Sequence, residues 1–169
     1  MSRRFFALFL LFPLFSFAQQ FDITTNKGAV EFTYADGTKG TFSGVDATID
    51  FDLSKLSAGS ISGSVDVSTI DTKNKMRNKH LRGKDFFDVE NYPQMTFRST
   101  SISESDGIFT VNGLLTIKGT EKEVTFNASE NKGQLEFTTT IYGLDFDVAT
   151  HNKREKTNID VKVIIPIKK

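Results

Sequence analysis

The sequence predicts an all-β fold of eight antiparallel strands, with one short helical crossover between the third and the fourth. Three observations carry this. Apolar and polar residues alternate over eight separate segments, the period expected of strands that bury one face. Gly-containing turns separate most of these segments, and they are short enough for neighbouring strands to run antiparallel. The series breaks once, near its middle, between Asp71 and Pro93. Eight strands suit a closed barrel, whose interior holds packed side chains or one small ligand. Two packed sheets fit the same alternation.

In chain order, Val30, Phe32 and Tyr34 alternate with Glu31 and Thr33 and define a first strand over Gly28–Tyr34. Asp36-Gly37 turns it back, because this pair readily supplies the positive φ angles of a tight hairpin. In the second strand Val45, Ala47, Ile49 and Phe51 share a face, which Phe42 joins only through a bulge at Gly44. After the turn at Ser57-Ala58-Gly59, Ile61, Gly63, Val65 and Val67 make the third strand. The fourth begins at Met95 and Phe97 and runs to about Ser103, and Asp106-Gly107 leads into a fifth carrying Phe109, Val111, Gly113, Leu115 and Ile117. Gly119-Thr120 and Asn131-Lys132-Gly133 bracket the sixth, with Val124, Phe126 and Ala128 on one face. Leu135, Phe137, Thr139 and Ile141 form the seventh. Beyond Gly143 the apolar residues Leu144, Phe146 and Val148 switch parity, which predicts a second bulge. A polar turn over 150–157 precedes the last strand, marked by Ile159, Val161, Val163, Ile165 and Ile167.

Inside the break, Asp71 or Thr72 is expected to cap a short helix that Gly83 ends, with Met76 and His80 on one face. From His80 to Pro93 charged residues flank the adjacent Phe86 and Phe87, and Pro93 holds Tyr92 extended. The expectation is a plug at one barrel end, its rings turned inward and its charges left in water.

The first residues read as an export signal: Arg3 and Arg4, the apolar run Phe5–Phe17, and the small residues Ser16 and Ala18 around a cleavage site. This predicts a secretory signal peptide over 1–18, one domain over 19–169, and a periplasmic or secreted location. The run is too short to cross about 30 Å of hydrocarbon, so no stable membrane span is expected. Without cysteine, the domain has neither disulfides nor thiol chemistry. The 21 basic and 21 acidic residues balance, and losing Arg3 and Arg4 would leave a net charge of −2, which gives no electrostatic case for nucleic acid. Of 17 phenylalanines, 11 lie beyond the leader, and a ring without a polar handle suits a dry interior.

The break carries a resemblance. Ser68-Thr69-Ile70-Asp71-Thr72, Asn74, Arg77 to Arg82, Asp85-Phe86-Phe87-Asp88-Val89, Tyr92-Pro93 and Thr96-Phe97 closely resemble the YceI-like family of periplasmic lipid- or polyisoprenoid-binding domains. Val111 to Gly119, with Lys122 and Val124, is similar to that family's second signature, and Phe42-Ser43-Gly44 with Ile49 to Asp52 to its early strands. The chain departs from the family in lacking a histidine before the first hairpin, in Asp147 where many members have glycine, and in the basic turn Lys153 to Lys156. The resemblance implies an elongated lipocalin-like barrel holding a long isoprenoid or similar amphiphile, such as a quinone or fatty acid, in its bore. Under that implication Phe32, Phe51, Val65, Val67, Phe97 and Phe109 are expected along the bore. Val111, Leu115, Phe126, Phe137 and Phe146 are expected there too, with Met76, Phe86 and Phe87 closing an end.

Other chemistries are weakly supported. The basic cluster Lys73, Lys75, Arg77, Lys79, Arg82 and Lys84 reads first as a solvated helix face; the competing expectation is that Arg77, His80 and Arg82 meet a phosphate headgroup at the mouth. Two histidines without cysteine do not make a zinc site, and His80 is expected to bond the plug backbone. Asp85 reads as a turn or cap rather than half of an acid–base dyad, and no nucleophile motif or phosphate loop occurs. The expectations are therefore no catalysis, no metal and no cofactor. A ligand-free stress or interaction protein with a filled core is the alternative to a lipid carrier. Transient contact with a membrane or membrane protein, and homodimer formation, stay open.

Overall fold

The computed structural model describes residues 20–52, 55–149 and 151–167. Eight strands close into one antiparallel barrel in sequential order: β1 Gln20–Tyr34, β2 Lys39–Asp52, β3 Ser60–Asp66, β4 Gln94–Ser105, β5 Ile108–Ile117, β6 Thr120–Asn131, β7 Gln134–Tyr142 and β8 Asn158–Pro166. The seam is β1 against β8, where Ala29 to Tyr34 pair with Ile164 to Ile159. Closure settles the choice between barrel and sandwich. The predicted leader over 1–18 lies outside the described residues, and among those described no helix is long and apolar enough to cross a membrane.

Inward and outward residues follow the predicted parity. Val45, Ala47, Ile49 and Phe51 of β2 are buried while Asp46, Thr48 and Asp50 between them are exposed. Gly44, at φ +71°, falls between the pairs Ala29–Ser43 and Gly28–Val45, and this bulge turns Phe42 inward. The β4–β5, β5–β6 and β6–β7 turns each hold two consecutive residues at positive φ, Asp106-Gly107, Lys118-Gly119 and Lys132-Gly133, the geometry that matches strand twist in a two-residue hairpin.

Four local expectations need correction. β1 starts at Gln20 rather than Gly28, because irregular register between Thr25 and Gly28 breaks the alternation that marked its second half. β3 ends at Asp66, whose carboxylate accepts the Ser68 N–H and starts a 3-10 turn that includes Val67. Beyond β7 the chain makes a 3-10 turn over Gly143–Phe146, closed by Asp147 at φ +61°, so Phe146 and Val148 are buried by a turn rather than a bulge and Leu144 faces out. The helix, α1 at Lys75–Arg82, is capped by Asn74, whose side chain accepts the Arg77 N–H. Asp71 is unavailable as a cap: its backbone bridges Thr41 of β2 and its carboxylate accepts the Lys73 N–H.

Candidate functional site

The interior is not filled. A cavity of about 360 Å³ runs inside the upper part of the barrel, within the range of small-molecule pockets. Its wall is built by the inward positions of the strands, among them Val30 and Phe32 of β1, Ala47 and Ile49 of β2, Phe126 of β6 and Phe137 of β7. Below it, Phe51 at the end of β2 meets Phe109 at the start of β5 with ring centroids 5.2 Å apart, and Val111 and Leu135 are fully buried beside them. The bore is therefore closed at the end carrying the β2–β3 and β4–β5 turns.

The other end is polar and reaches the surface. Tyr34, Asp36 and Thr38 around the first turn, and Arg77 and His80 of α1, border the cavity, with Phe86 and Phe87 beneath the helix. Phe87 stands edge-on to Phe42 at 5.9 Å, and Phe42 in turn packs on Phe32 at 5.5 Å, so the crossover is keyed into the aromatic wall. Phe86 meets the His80 ring edge-on at 4.8 Å. That contact replaces the hydrogen bond to plug backbone that the sequence suggested for His80.

The crossover is held by polar contacts made at its base. Val67 N–H donates to Pro93 O at 2.9 Å, and Thr41 and Asp71 exchange two backbone hydrogen bonds. Buried Asn78 accepts both the N–H and the hydroxyl of Thr72, at 2.8 and 2.6 Å, and its amide donates to Asp71. Arg77 donates to the Thr72 hydroxyl and carbonyl, and Arg82 to the carbonyls of Ser68 and Ile70. Hydrogen bonds from the Lys73 side chain, the Lys73 N–H and Asn78 hold the Asp71 carboxyl down at about 2. At Asp36 the pKa is also lowered, mainly by bonds from Thr38 and further by the nearby Arg77 charge.

Of the residues expected in the bore, Phe32, Val65, Phe86, Phe87, Phe97, Leu115, Phe126 and Phe137 border the cavity. Phe51, Val67, Phe109, Val111 and Phe146 are buried but pack outside it, as fill at the ends. Met76 does neither. It is 84% exposed on the outer side of α1, because the face that docks is the one bearing Asn78 and Leu81. Arg82 is turned to loop carbonyls and does not border the cavity, whereas Arg77 and His80 do. Ile61, Ile141, Val161 and Val163, inward by parity on β3, β7 and β8 but not among the residues expected along the bore, also line it. Among the described residues no three acidic or histidine side chains gather as a metal site, and Asp88 is bound to Asn91 rather than paired with Asp85.

A family model for the YceI-like domain matches residues 21–168. The chain belongs to the YceI-like family. Protein YceI of Salmonella arizonae is 37% identical over 89 residues, 53% of this chain and 47% of the relative, and the counterpart in Salmonella newport matches equally. The chain thus spans about half the length of these curated relatives. Among solved structures, Burkholderia cenocepacia BcnA superposes with a TM-score of 0.74 at 29% identity, covering 83% of this chain and 96% of that one. A Campylobacter jejuni YceI protein gives 0.63 at 24% identity, over 78% of this chain and 86% of its own. A polyisoprenoid-binding domain from Saccharophagus degradans gives 0.59 at 14% identity, over 83% of this chain and 93% of its own. At their identities the last two speak to the fold alone.

Proposed function

We propose that this YceI-like barrel is a non-catalytic carrier or sequestering module for a long apolar amphiphile: a polyisoprenoid, a quinone or a fatty-acid-like lipid. The observation that carries the reading is the blind apolar cavity, closed by the Phe51–Phe109 pair and open beside α1. A chain entering tail-first gains on the order of 0.8 kcal/mol for each methylene removed from water, and the wall asks for no polar partner in return. The head then lies among Tyr34, Asp36, Thr38, Arg77 and His80, polar groups that border the opening. Arg82 is given no part in head binding: like Arg77 it bonds loop oxygens, but unlike Arg77 it does not border the cavity. The polyisoprenoid-binding domain from Saccharophagus degradans has the same barrel fold, so a bore of this architecture is compatible with that ligand class. The apolar leader ending near Ala18 supports a periplasmic or secreted site of action.

Thermal denaturation with added ligand tests the proposal. A polyprenol, a long-chain quinone or a long-chain fatty acid should raise Tm by mass action, and Ala47→Phe, which fills the bore, should remove that rise while keeping the far-UV signature of a barrel. If none of these lipids shifts Tm, the bore is not a lipid site.

A further inference from the structure

The twelve residues from Lys73 to Lys84 hold six of the chain's 21 basic residues and none of its 21 acidic ones, leaving 15 basic and 21 acidic elsewhere. Even with Asp71, Asp85, Asp88 and Glu90 included, the crossover is net +2. Packing then sorts these charges by face. Arg77 and Arg82 turn toward the loop, where they bond Thr72, Ser68 and Ile70, and Lys73 pairs with Asp71 at 2.7 Å. Lys75 and Lys79, one turn apart, are left exposed and without an ion pair among the described residues, and Met76 lies between them on the helix surface, 84% exposed. His80 continues the same face down to the cavity mouth.

We propose that this outward face of α1 docks the open end of the barrel onto an anionic lipid bilayer. A pair of unpaired lysines is attracted to a negative leaflet, and an apolar tip beside them enters the headgroup layer without exposing backbone. The face adjoins the cavity mouth, so docking brings the opening to the membrane. An acidic protein surface would match the lysines and could seat Met76 as well, but the bilayer is favoured because this face adjoins the mouth of an apolar cavity, and only a lipid surface has something to pass into it. The inference rests on the lipid-carrier reading for its purpose, but its test does not.

The test is cosedimentation of the whole protein with vesicles of phosphatidylcholine, with and without phosphatidylglycerol. Binding is expected only to the anionic vesicles and should fade as salt shortens the Debye length. Lys75→Glu with Lys79→Glu should weaken it at least tenfold, Met76→Ser several-fold, and Lys132→Glu, at the opposite end, not at all. Equal sedimentation with both vesicle types, no sedimentation with either, or no effect of the lysine pair overturns the proposal. So does capture of polyglutamate by a protein that ignores the vesicles, which assigns the face to an acidic protein partner. The two lysines do not border the cavity, so the variant should keep its thermal shift with lipid. Vesicle binding without any such shift would leave docking standing and remove the carrier reading, and the reverse result would do the opposite.

Discussion

Gly113 shows what a single position in the wall demands. A Cβ there would run into the Phe97 ring and lie 2.5 Å from the Arg98 carbonyl oxygen, and backbone cannot yield as a side-chain tip can. Gly113→Ala should therefore cost about 1–3 kcal/mol, the usual range for overpacking, read as a lower urea midpoint at unchanged m-value. An unchanged midpoint would mean that the wall at Phe97 is slack. Asp71 gives a pH test. Its folded pKa of about 2 lies below the ordinary value of about 3.9, so the folded state prefers the carboxylate. Its stabilising contribution is complete above about pH 4 and drains away as pH falls toward about 2. The gap in urea midpoint between the wild type and Asp71→Ala should thus be constant near neutrality and narrow across that window. At this scale parity was readable and contact was not: the alternation put Gly113 and Phe97 inward, but their meeting depends on the pairing of β4 with β5.

At the level of elements, the crossover is the part whose structure the sequence revealed least. Its helix was foreseen through the absence of a two-residue period and the stop at Gly83. Its cap and its docked face were not, since both follow from contacts distant in sequence. The backbone bridge to Thr41 commits Asp71, which leaves Asn74 to cap, and burial of Asn78 turns Met76 outward. Removing the buried amide should expose that dependence. Asn78→Ala strands the Thr72 N–H, a loss of about 1–3 kcal/mol, and should speed amide exchange through α1 and its flanks more than in β5 and β6. Phe87→Ala should cost about 2–3 kcal/mol, below the range of a fully buried ring because Phe87 packs on Phe42 while staying partly exposed. A loss near zero, together with unchanged lipid retention, would remove the plug from the account.

The whole molecule depends on closure. Turn chemistry and alternation make an eight-stranded antiparallel chain legible, but the β1–β8 seam joins the two ends of the domain, and alternation by itself fits a sandwich as well; the strand count and the family resemblance are what favour closure. The bore was foreseeable only in part for a related reason. An inward residue lines a cavity or fills it according to what faces it across the barrel: Phe51 meets Phe109 and becomes fill, whereas Phe137 borders open space. Under the proposed function this space holds a lipid chain. Purifying the protein without detergent, extracting it with organic solvent and measuring the extract by mass spectrometry against protein concentration tests it most directly. Wild type should yield a long-chain amphiphile at close to one per barrel, reduced several-fold in Ala47→Phe. An extract from folded wild type no richer in lipid than that variant's would contradict it.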